Sequence, residues 1–374
     1  MARYRFDEIA FNITDKRMPT PEDKELYIGL EHLDTRCLRV SRWGSAVDIT
    51  GQKLVMRKGD VLFGRRNTYL RRAAIAPHDG LFSAHGMIFR PKTNVITEEF
   101  FPYFIVSNYF MDAAIRISVG SLSPTVNWKQ LKELEFDIPD IDKQHKYAEL
   151  FAGIDSTKEA YKQLISATDE LVKSQFIEMF GCIAKEEYRP LSEVCTLITD
   201  GTHNPPKFVD SGIPFILVSN ITENVVTYDT PKYITEETYD ILMKRTPIEK
   251  GDVLLSTVGS YGHPAVVTDE RKFAFQRHVA HLKPNRSMID SRFLHAAILS
   301  TDVQEQIEVL VLGVAQKTLN LSAIKRISIP LPTFDQQKLY ISFVEQADKS
   351  KFEAKQSLES LDVLYRNMEK QCFC

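Results

Sequence analysis

Cysteine is scarce in this chain: Cys37, Cys182, Cys195, Cys372 and Cys374 are the only five among 374 residues. None stands in a C-x-x-C pair and the number is odd, so neither a disulfide framework nor a zinc site is expected. Plain thiols in a reducing compartment are expected instead. Long apolar runs are missing too. No stretch approaches the roughly 18 residues of a membrane span, and the opening Met1-Ala2-Arg3-Tyr4-Arg5-Phe6-Asp7-Glu8 has no apolar signal-peptide core. A cytoplasmic protein with no membrane contact is expected. No Gly-rich loop joins a strand to a helix in the manner of a phosphate cradle. His203, His263, His278 and His281 do not take a ligand spacing on one helix. The sequence therefore offers no catalytic, cofactor or metal residues.

What is present is ordinary for a globular protein: 43% hydrophobic and 26% charged residues, enough for about two domains of the usual size. The net charge of -3 argues against a nucleic-acid partner until its distribution is considered. From Arg36 to Arg72 stand ten basic residues, Arg36, Arg39, Arg42, Lys53, Arg57, Lys58, Arg65, Arg66, Arg71 and Arg72, against Asp48 and Asp60 alone, a local net charge of +8. A basic face on a mildly acidic body fits a polyanion.

The chain repeats itself once. Thr125–Leu134 lines up with Thr318–Ile327 at an offset of 193 residues. The register holds downstream, with Pro139 on Pro332, Asp142 on Asp335, Gln144 on Gln337, Tyr147 on Tyr340 and Asp155 on Asp348. Upstream, Gly120 falls on Gly313 and Pro91 on Pro284. Lys58-Gly59-Asp60-Val61-Leu62 matches Lys250-Gly251-Asp252-Val253-Leu254 one residue out of that register. Tyr27–Leu30 pairs with Phe215–Val218, and Tyr4-Arg5 with Tyr188-Arg189.

Each half reads as a mixed globule followed by a long helix, an α+β architecture. The predicted boundaries are 1–140 for the first globule, 141–181 for its helix, 182–333 for the second globule and 334–374 for the last helix. Val61-Leu62-Phe63, Ile213–Val218, Val253-Leu254-Leu255 and Ala265-Val266-Val267 read as short strands. Glu98–Ile115 and Asp290–Val309 read as amphipathic helices.

The long segments carry a heptad. Tyr147, Ile154, Tyr161 and Thr168 recur every seven residues, with Leu150, Thr157, Leu164 and Leu171 three places on. Tyr340, Ala347, Ala354, Leu361 and Met368 keep the same register, with Phe343, Ser350, Ser357 and Leu364 alongside. These are the two seam positions of a coiled coil. A helix from Asp142 to Phe180 is about 58 Å long, at about 1.5 Å per residue. Its own small domain cannot bury it, so the two helices are expected to pair as an antiparallel coiled coil.

Two globules, each followed by a related long helix, resemble the specificity subunit of type I restriction-modification enzymes, with two target recognition domains. The resemblance covers essentially the whole chain. Three motifs carry it: Lys-Gly-Asp-Val-Leu at 58–62 and 250–254; Gly-x4-Thr-x-Asn at 120–127 and 313–320; and Ile-Pro-x-Pro-x3-Gln-Gln at 329–337, degenerate as Ile138-Pro139 through Gln144. Asp200-Gly201-Thr202-His203-Asn204-Pro205-Pro206 is similar to a segment found early in these domains. The resemblance implies that each globule reads half of a bipartite DNA target and that the helices set the unread gap. It implies docking of two methyltransferase subunits, which bind S-adenosylmethionine and methylate adenine, and of restriction and motor subunits. No cofactor is implied for this chain itself.

A fused adenine methyltransferase or nuclease is the alternative reading. Asn204-Pro205-Pro206-Lys207 resembles a catalytic Asn-Pro-Pro-aromatic loop, but Lys207 holds the place of the ring that stacks on a flipped base, and Phe208 comes one residue late. Asp60 with Lys58 and Asp252 with Lys250 read as a turn before a strand, not as metal ligands. A protein-binding coiled-coil adaptor leaves the +8 segment unexplained.

Base and phosphate contacts come from donor-rich loops. In the first globule the expected loop holds Arg65, Arg66, Asn67, Tyr69, Arg71 and Arg72. In the second, Ser256, Thr257, Ser260, Tyr261 and His263 occupy the equivalent loop, with Thr202, His203, Asn204, Arg277, His278, Gln316 and Lys317 as further candidates.

Overall fold

The structure, a computed structural model, describes residues 1–313 and 317–373, so Gln316 and Cys374 lie outside the described residues. The chain divides into two compact units, Met1–Lys162 with Lys355–Cys374, and Gln163–Ala354. Each contains one globule and a portion of both long helices.

In the first unit, Ala10–Ile13, Met87–Pro91, Val61–Phe63 and Ala73–Ile75 form an antiparallel sheet in that order. Val61–Phe63 is buried throughout, so it reads as an unbroken apolar run. Ala2–Arg5 pairs with Glu135–Ile138, closing the globule just before its long helix. The core is largely aromatic: the Phe6 ring lies 5.0 Å from Phe110 and 5.2 Å from Phe89.

The second unit repeats this plan. Cys195–Asp200, Val279–Pro284, Val253–Ser256 and Pro264–Val266 occupy the same order. Tyr188–Pro190 pairs with Ser328–Pro330. Ile28 bridges Phe82 in parallel, as Ile216 bridges Phe275. The match of Tyr4-Arg5 to Tyr188-Arg189 is one residue out. Phe6 N donates to Leu134 O at 2.8 Å, and Leu191 N to Ile327 O at 2.8 Å, so Tyr4 corresponds to Arg189. Hydrogen bonding, not the recurrence of a Tyr-Arg pair, sets the register.

The amphipathic segments are each two helices rather than one. Phe101–Val106 and Asn108–Arg116 break at Ser107; Ser291–Leu299 and Thr301–Leu310 break at Ser300. Both serines are extended, with φ/ψ of -62/151 and -63/147. Ser107 Oγ donates to Phe104 O at 2.6 Å and accepts from Phe110 N at 3.1 Å; Ser300 Oγ donates to Ala297 O at 2.8 Å. A serine hydroxyl competes with the helical ladder in this way, and apolar periodicity does not register it.

Ile141–Phe180 and Phe334–Phe373 are the long helices. Each carries a buried glutamine in its first turn. Gln144 Oε1 accepts from Thr97 N at 2.7 Å, and its Nε2 donates to Val95 O at 3.0 Å and Pro139 O at 2.8 Å. Gln337 does the same with Asp290 N at 2.9 Å, Met288 O at 3.0 Å and Pro332 O at 3.0 Å. These side chains lock helix entry to the globule.

Within each unit the helices run antiparallel. In the first, Phe151 meets Tyr365 at 4.8 Å between ring centroids and Lys158 Nζ meets Asp362 Oδ1 at 2.5 Å. In the second, Asp169 meets Lys351 at 2.9 Å and Phe176 meets Tyr340 at 5.4 Å. The two ion pairs are the same pair, seen from either copy of the repeat. Ile154, Tyr340, Ala347, Ala354 and Met368 are buried, and Tyr147, Tyr161, Phe343 and Leu361 are half-buried. The second stripe, however, lies one residue further on. Leu150, Leu164, Leu171 and Leu364 are 45%, 46%, 53% and 46% exposed. Phe151, Lys158, Ile165, Val172 and Val344, Lys351, Leu358, Tyr365, Cys372 turn inward instead. An apolar residue follows each of these leucines, so periodicity alone leaves steps of three and four equally good; the partner's position chooses.

Candidate nucleic-acid interface

In the second unit, antiparallel pairing puts the end of Cys195–Asp200, the start of Val279–Pro284 and the end of Val253–Ser256 at one edge of the sheet. Backbone bonds tie the loops there together. Thr257 N donates to His278 O at 3.0 Å, Arg277 N to Thr202 O at 3.1 Å and Gly259 N to Lys317 O at 3.3 Å. The structure thus gathers Thr202, His203, Asn204, Tyr261, Arg277, His278 and Lys317 at one end of the sheet. His203, Asn204, Arg277 and Lys317 are exposed, and Thr202, Tyr261, His263 and His278 half-buried. Burial, reinforced by Arg277, lowers the His278 pKa, leaving a neutral ring able to donate and accept. His203 Nε2 lies 2.8 Å from Asp200 Oδ2, and Asp200 Oδ1 accepts from Arg245 Nη2 at 2.8 Å. Lys317 Nζ donates to Tyr261 Oη at 3.2 Å, and Tyr261 Oη donates to Glu308 at 2.7 Å.

Ser256 and Thr257 correct the expectation. They are 0% and 5% exposed. Ser256 Oγ accepts from His263 N at 2.9 Å, and Thr257 O accepts from Leu319 N at 2.8 Å. Ser256 ends the strand Val253–Ser256 and Thr257 follows it still inside the fold, so both are packed away rather than standing in the loop beyond. Gln316 lies outside the described residues.

The first unit has the same edge. Arg65 O accepts from Val126 N at 2.9 Å and Asn67 N donates to Pro124 O at 2.8 Å, the counterpart of Gly259 and Lys317. Arg66 and Tyr69 are exposed, and Arg65 and Asn67 half-buried. Arg66 Nη2 reaches Ser123 Oγ at 3.4 Å. Asn67 and Arg71 hold left-handed backbone, φ 53 and 49, at the two ends of a short 3-10 turn, Thr68–Leu70.

Not all the arginines point out. Arg71 donates to Asn108 Oδ1 at 3.1 Å and pairs with Asp112. Arg72 donates to Leu30 O at 2.9 Å, and burial lowers its pKa. Both brace the loop from inside. The +8 stretch is likewise partly neutralised from outside itself: Arg39 pairs with Glu159 at 3.1 Å and Arg42 with Asp34 at 2.7 Å. Among the described residues, the side chains of Arg57, Lys58, Arg65 and Arg66 have no carboxylate within 4.0 Å.

Sequence reasoning missed the segment Ser83–Gly86. Gly86 N donates to Ser83 O at 3.0 Å, so it turns at the same sheet edge, just before Met87. His85 stands 193 residues before His278, so the repeat offset already pointed to it.

Other motifs fall to structural roles. Asp60 takes Arg90 through two bonds of 2.8 and 2.9 Å. Asp252 takes His281 at 2.7 Å. Gly59 and Gly251 have φ of 89 and 88, as a turn before a strand requires. Phe208, the ring next to Asn-Pro-Pro-Lys, packs on Phe215 at 5.2 Å under Lys232. Cys37, Cys182, Cys195 and Cys372 are free thiols, and burial pushes Cys195 and Cys372 up to about 12. Among the described residues, no helix is long and apolar enough to cross a membrane, and no group of three His, Cys, Asp or Glu gathers as for a metal ion.

Comparison with known proteins gives a consistent result. The family described as "Type I restriction modification DNA specificity domain" matches residues 42–167 and 185–361, one copy in each half. The chain is 31% identical over 146 residues to the type I restriction enzyme EcoBI specificity subunit of Escherichia coli, covering 39% of this chain and 31% of that protein. It is 18% identical over 359 residues to the MjaVIII specificity subunit of Methanocaldococcus jannaschii, covering 90% of this chain and 83% of that protein. In fold it is similar to the S subunit of a type I restriction-modification system from M. genitalium, with a TM-score of 0.55, 16% identity, and 100% and 96% of the two chains covered. A chain from a solved type I R-M system, described for its complex assembly and conformational transition, gives a TM-score of 0.63 at 18% identity, covering 100% and 97%.

Proposed function

This chain belongs to the type I restriction modification DNA specificity domain family, and we propose that it is the non-catalytic, DNA-reading subunit of a modification complex. Each globule reads one half of an asymmetric, split target on double-stranded DNA. The long helices carry the spacing between halves and offer their outer faces to two methyltransferase subunits, with restriction and motor subunits joining for cleavage. S-adenosylmethionine belongs to the methyltransferase, and this chain binds no cofactor. The complex works in the cytoplasm.

One observation carries the reading. The repeat places the same loops at the same sheet edge twice and fills them differently: Arg65, Arg66 and Asn67 stand where Thr257, Val258 and Gly259 stand in the other copy, and Ala84 stands where Arg277 does, while His85 and His278 are shared. A shared frame with divergent donors is what two unlike half-sites require. Tethering two modest binders raises affinity through effective concentration. Mapping methylated adenines across the genome, with and without the gene, is the test. Loss of one split, asymmetric motif is expected; an unchanged methylation pattern would sink the reading.

Exposed Arg66 and its half-buried neighbour Arg65 give a sharper expectation. Arg65→Ala with Arg66→Ala should weaken target binding by about 1–3 kcal/mol per base-reading arginine and relax the first half-site only. If they touch phosphate instead, all sequences weaken alike and the salt slope falls. Anisotropy titrations with matched and mismatched duplexes at several salt concentrations separate the two. Unchanged affinity throughout would remove this loop from the interface.

A further inference from the structure

The loop Arg65–Arg72 is fastened from a distant part of the chain. Asn108 opens the helix Asn108–Arg116, and its backbone N–H donates to the Glu369 carboxylate. Its Nδ2 donates to Glu369 Oε2 at 2.8 Å. On the other side, Asn108 Oδ1 accepts from Arg71 Nη1 at 3.1 Å and Arg36 Nη2 at 2.9 Å. Arg71 also pairs with Asp112, one turn along the same helix. Glu369 belongs to the last turns of the second long helix and is only 8% exposed.

The chemistry makes this a strong fastening. A carboxylate at a helix N-terminus meets free N–H groups and the positive end of the dipole, and bonds to an ionised acceptor are roughly twice as strong as neutral ones. The loop needs it. Asn67 and Arg71 are non-glycine residues in left-handed backbone, a conformation that persists only where surrounding contacts impose it. Among the described residues, the second unit has no such device at this place. The repeat offset puts Thr301 at Asn108 and Phe176 at Glu369, and Phe176 stacks on Phe293 at 5.9 Å.

We propose that Asn108 and Glu369 are positioning residues: they hold the Arg65–Arg72 loop in its reading conformation, so the end of the second long helix governs recognition of the first half-site and leaves the second untouched. This rests on the reading of that loop as a DNA contact. It is not a contact of Glu369 itself with DNA, since the carboxylate is buried and of the wrong sign.

The test uses the full-length protein as wild type, Glu369→Ala, Glu369→Gln, Asn108→Ala and, as a neighbouring exposed control, Lys370→Ala. Hydrogen–deuterium exchange is followed over 64–72, with 253–266 as internal reference, and the methylated motif is read with the partner methyltransferase. In Glu369→Ala and Asn108→Ala, loop amides should exchange about tenfold faster while 253–266 is unchanged. The motif should become degenerate in its first half alone. Glu369→Gln should fall between, because it keeps one acceptor oxygen and loses the charge. Unchanged loop exchange in both alanine variants overturns the proposal whatever the motif does. A motif lost equally in both halves also overturns it, as general misfolding. A loosened loop with an intact first half-site leaves the fastening real but removes this loop from DNA reading, and the proposed consequence falls with it. If Glu369→Ala does not fold, Asn108→Ala and Glu369→Gln decide.

Discussion

The unfolding free energy of the second unit should fall by about 3–5 kcal/mol when Gln337 is replaced by leucine, and that of the first by a similar amount for Gln144→Leu. Leucine fills much the same volume, so little of the loss comes from a cavity. The loss comes from the backbone. Gln337 serves Asp290 N, Met288 O and Pro332 O, and Gln144 serves Thr97 N, Val95 O and Pro139 O. Both glutamines are 0% exposed, so water cannot replace them without opening the fold. Each orphaned buried group costs roughly 1–3 kcal/mol. Glutamate should do no better, because it cannot donate to two carbonyls and brings a buried charge. Denaturant unfolding, followed by exchange at amides of each globule, reads the two units separately, as a two-domain chain requires. A loss below about 1 kcal/mol for both leucine variants would show that these side chains only occupy space.

Seven residues inserted into both helices, one copy after Thr168 and one after Lys351, should leave a folded, assembling protein, whereas two-residue insertions at the same places should not. Asp169 and Lys351 are bonded at 2.9 Å, so these two points face each other and receive matching lengths. Seven residues are close to two turns and return the seam to phase, while two residues rotate it by about 200°. Thermal unfolding and co-purification with the methyltransferase read assembly. The methylated motif then tests the spacing role. Each inserted heptad adds about 10 Å of helix, or about three base pairs at 3.4 Å per step. An active variant with an unlengthened gap would leave the helices a docking role only.

Several features of this protein were legible from residues alone because they depend on short-range chemistry. The repeat, the two long helices and the wholly apolar strand Val61–Phe63 follow from periodicity and spacing. Gly59 and Gly251 mark their turns because few other residues tolerate that backbone. The turn reading of Asp60 and Asp252 needed no more than Lys-Gly-Asp before an apolar run.

Packing decided the rest. Leu150 or Phe151, and Leu364 or Tyr365, satisfy a heptad equally well, and only the direction of the antiparallel partner selected the second of each pair. Ser107 and Ser300 broke helices whose apolar pattern runs on, since a hydroxyl bonded to its own backbone is invisible to hydropathy. Among the candidate contacts, Arg71 and Arg72 share the composition of Arg65 and Arg66 but not their surroundings. Asp112, Asn108 and Leu30 lie roughly 40 residues away in sequence and draw the first two inward. Ser256 and Thr257 were taken into the fold in the same way, while His85 came to the sheet edge through a strand order that no local pattern encodes. Local residue chemistry determined which elements this chain makes and that it makes them twice. Which side chains those elements expose was settled only by partners distant in sequence, because a side chain's burial depends on what the fold brings against it.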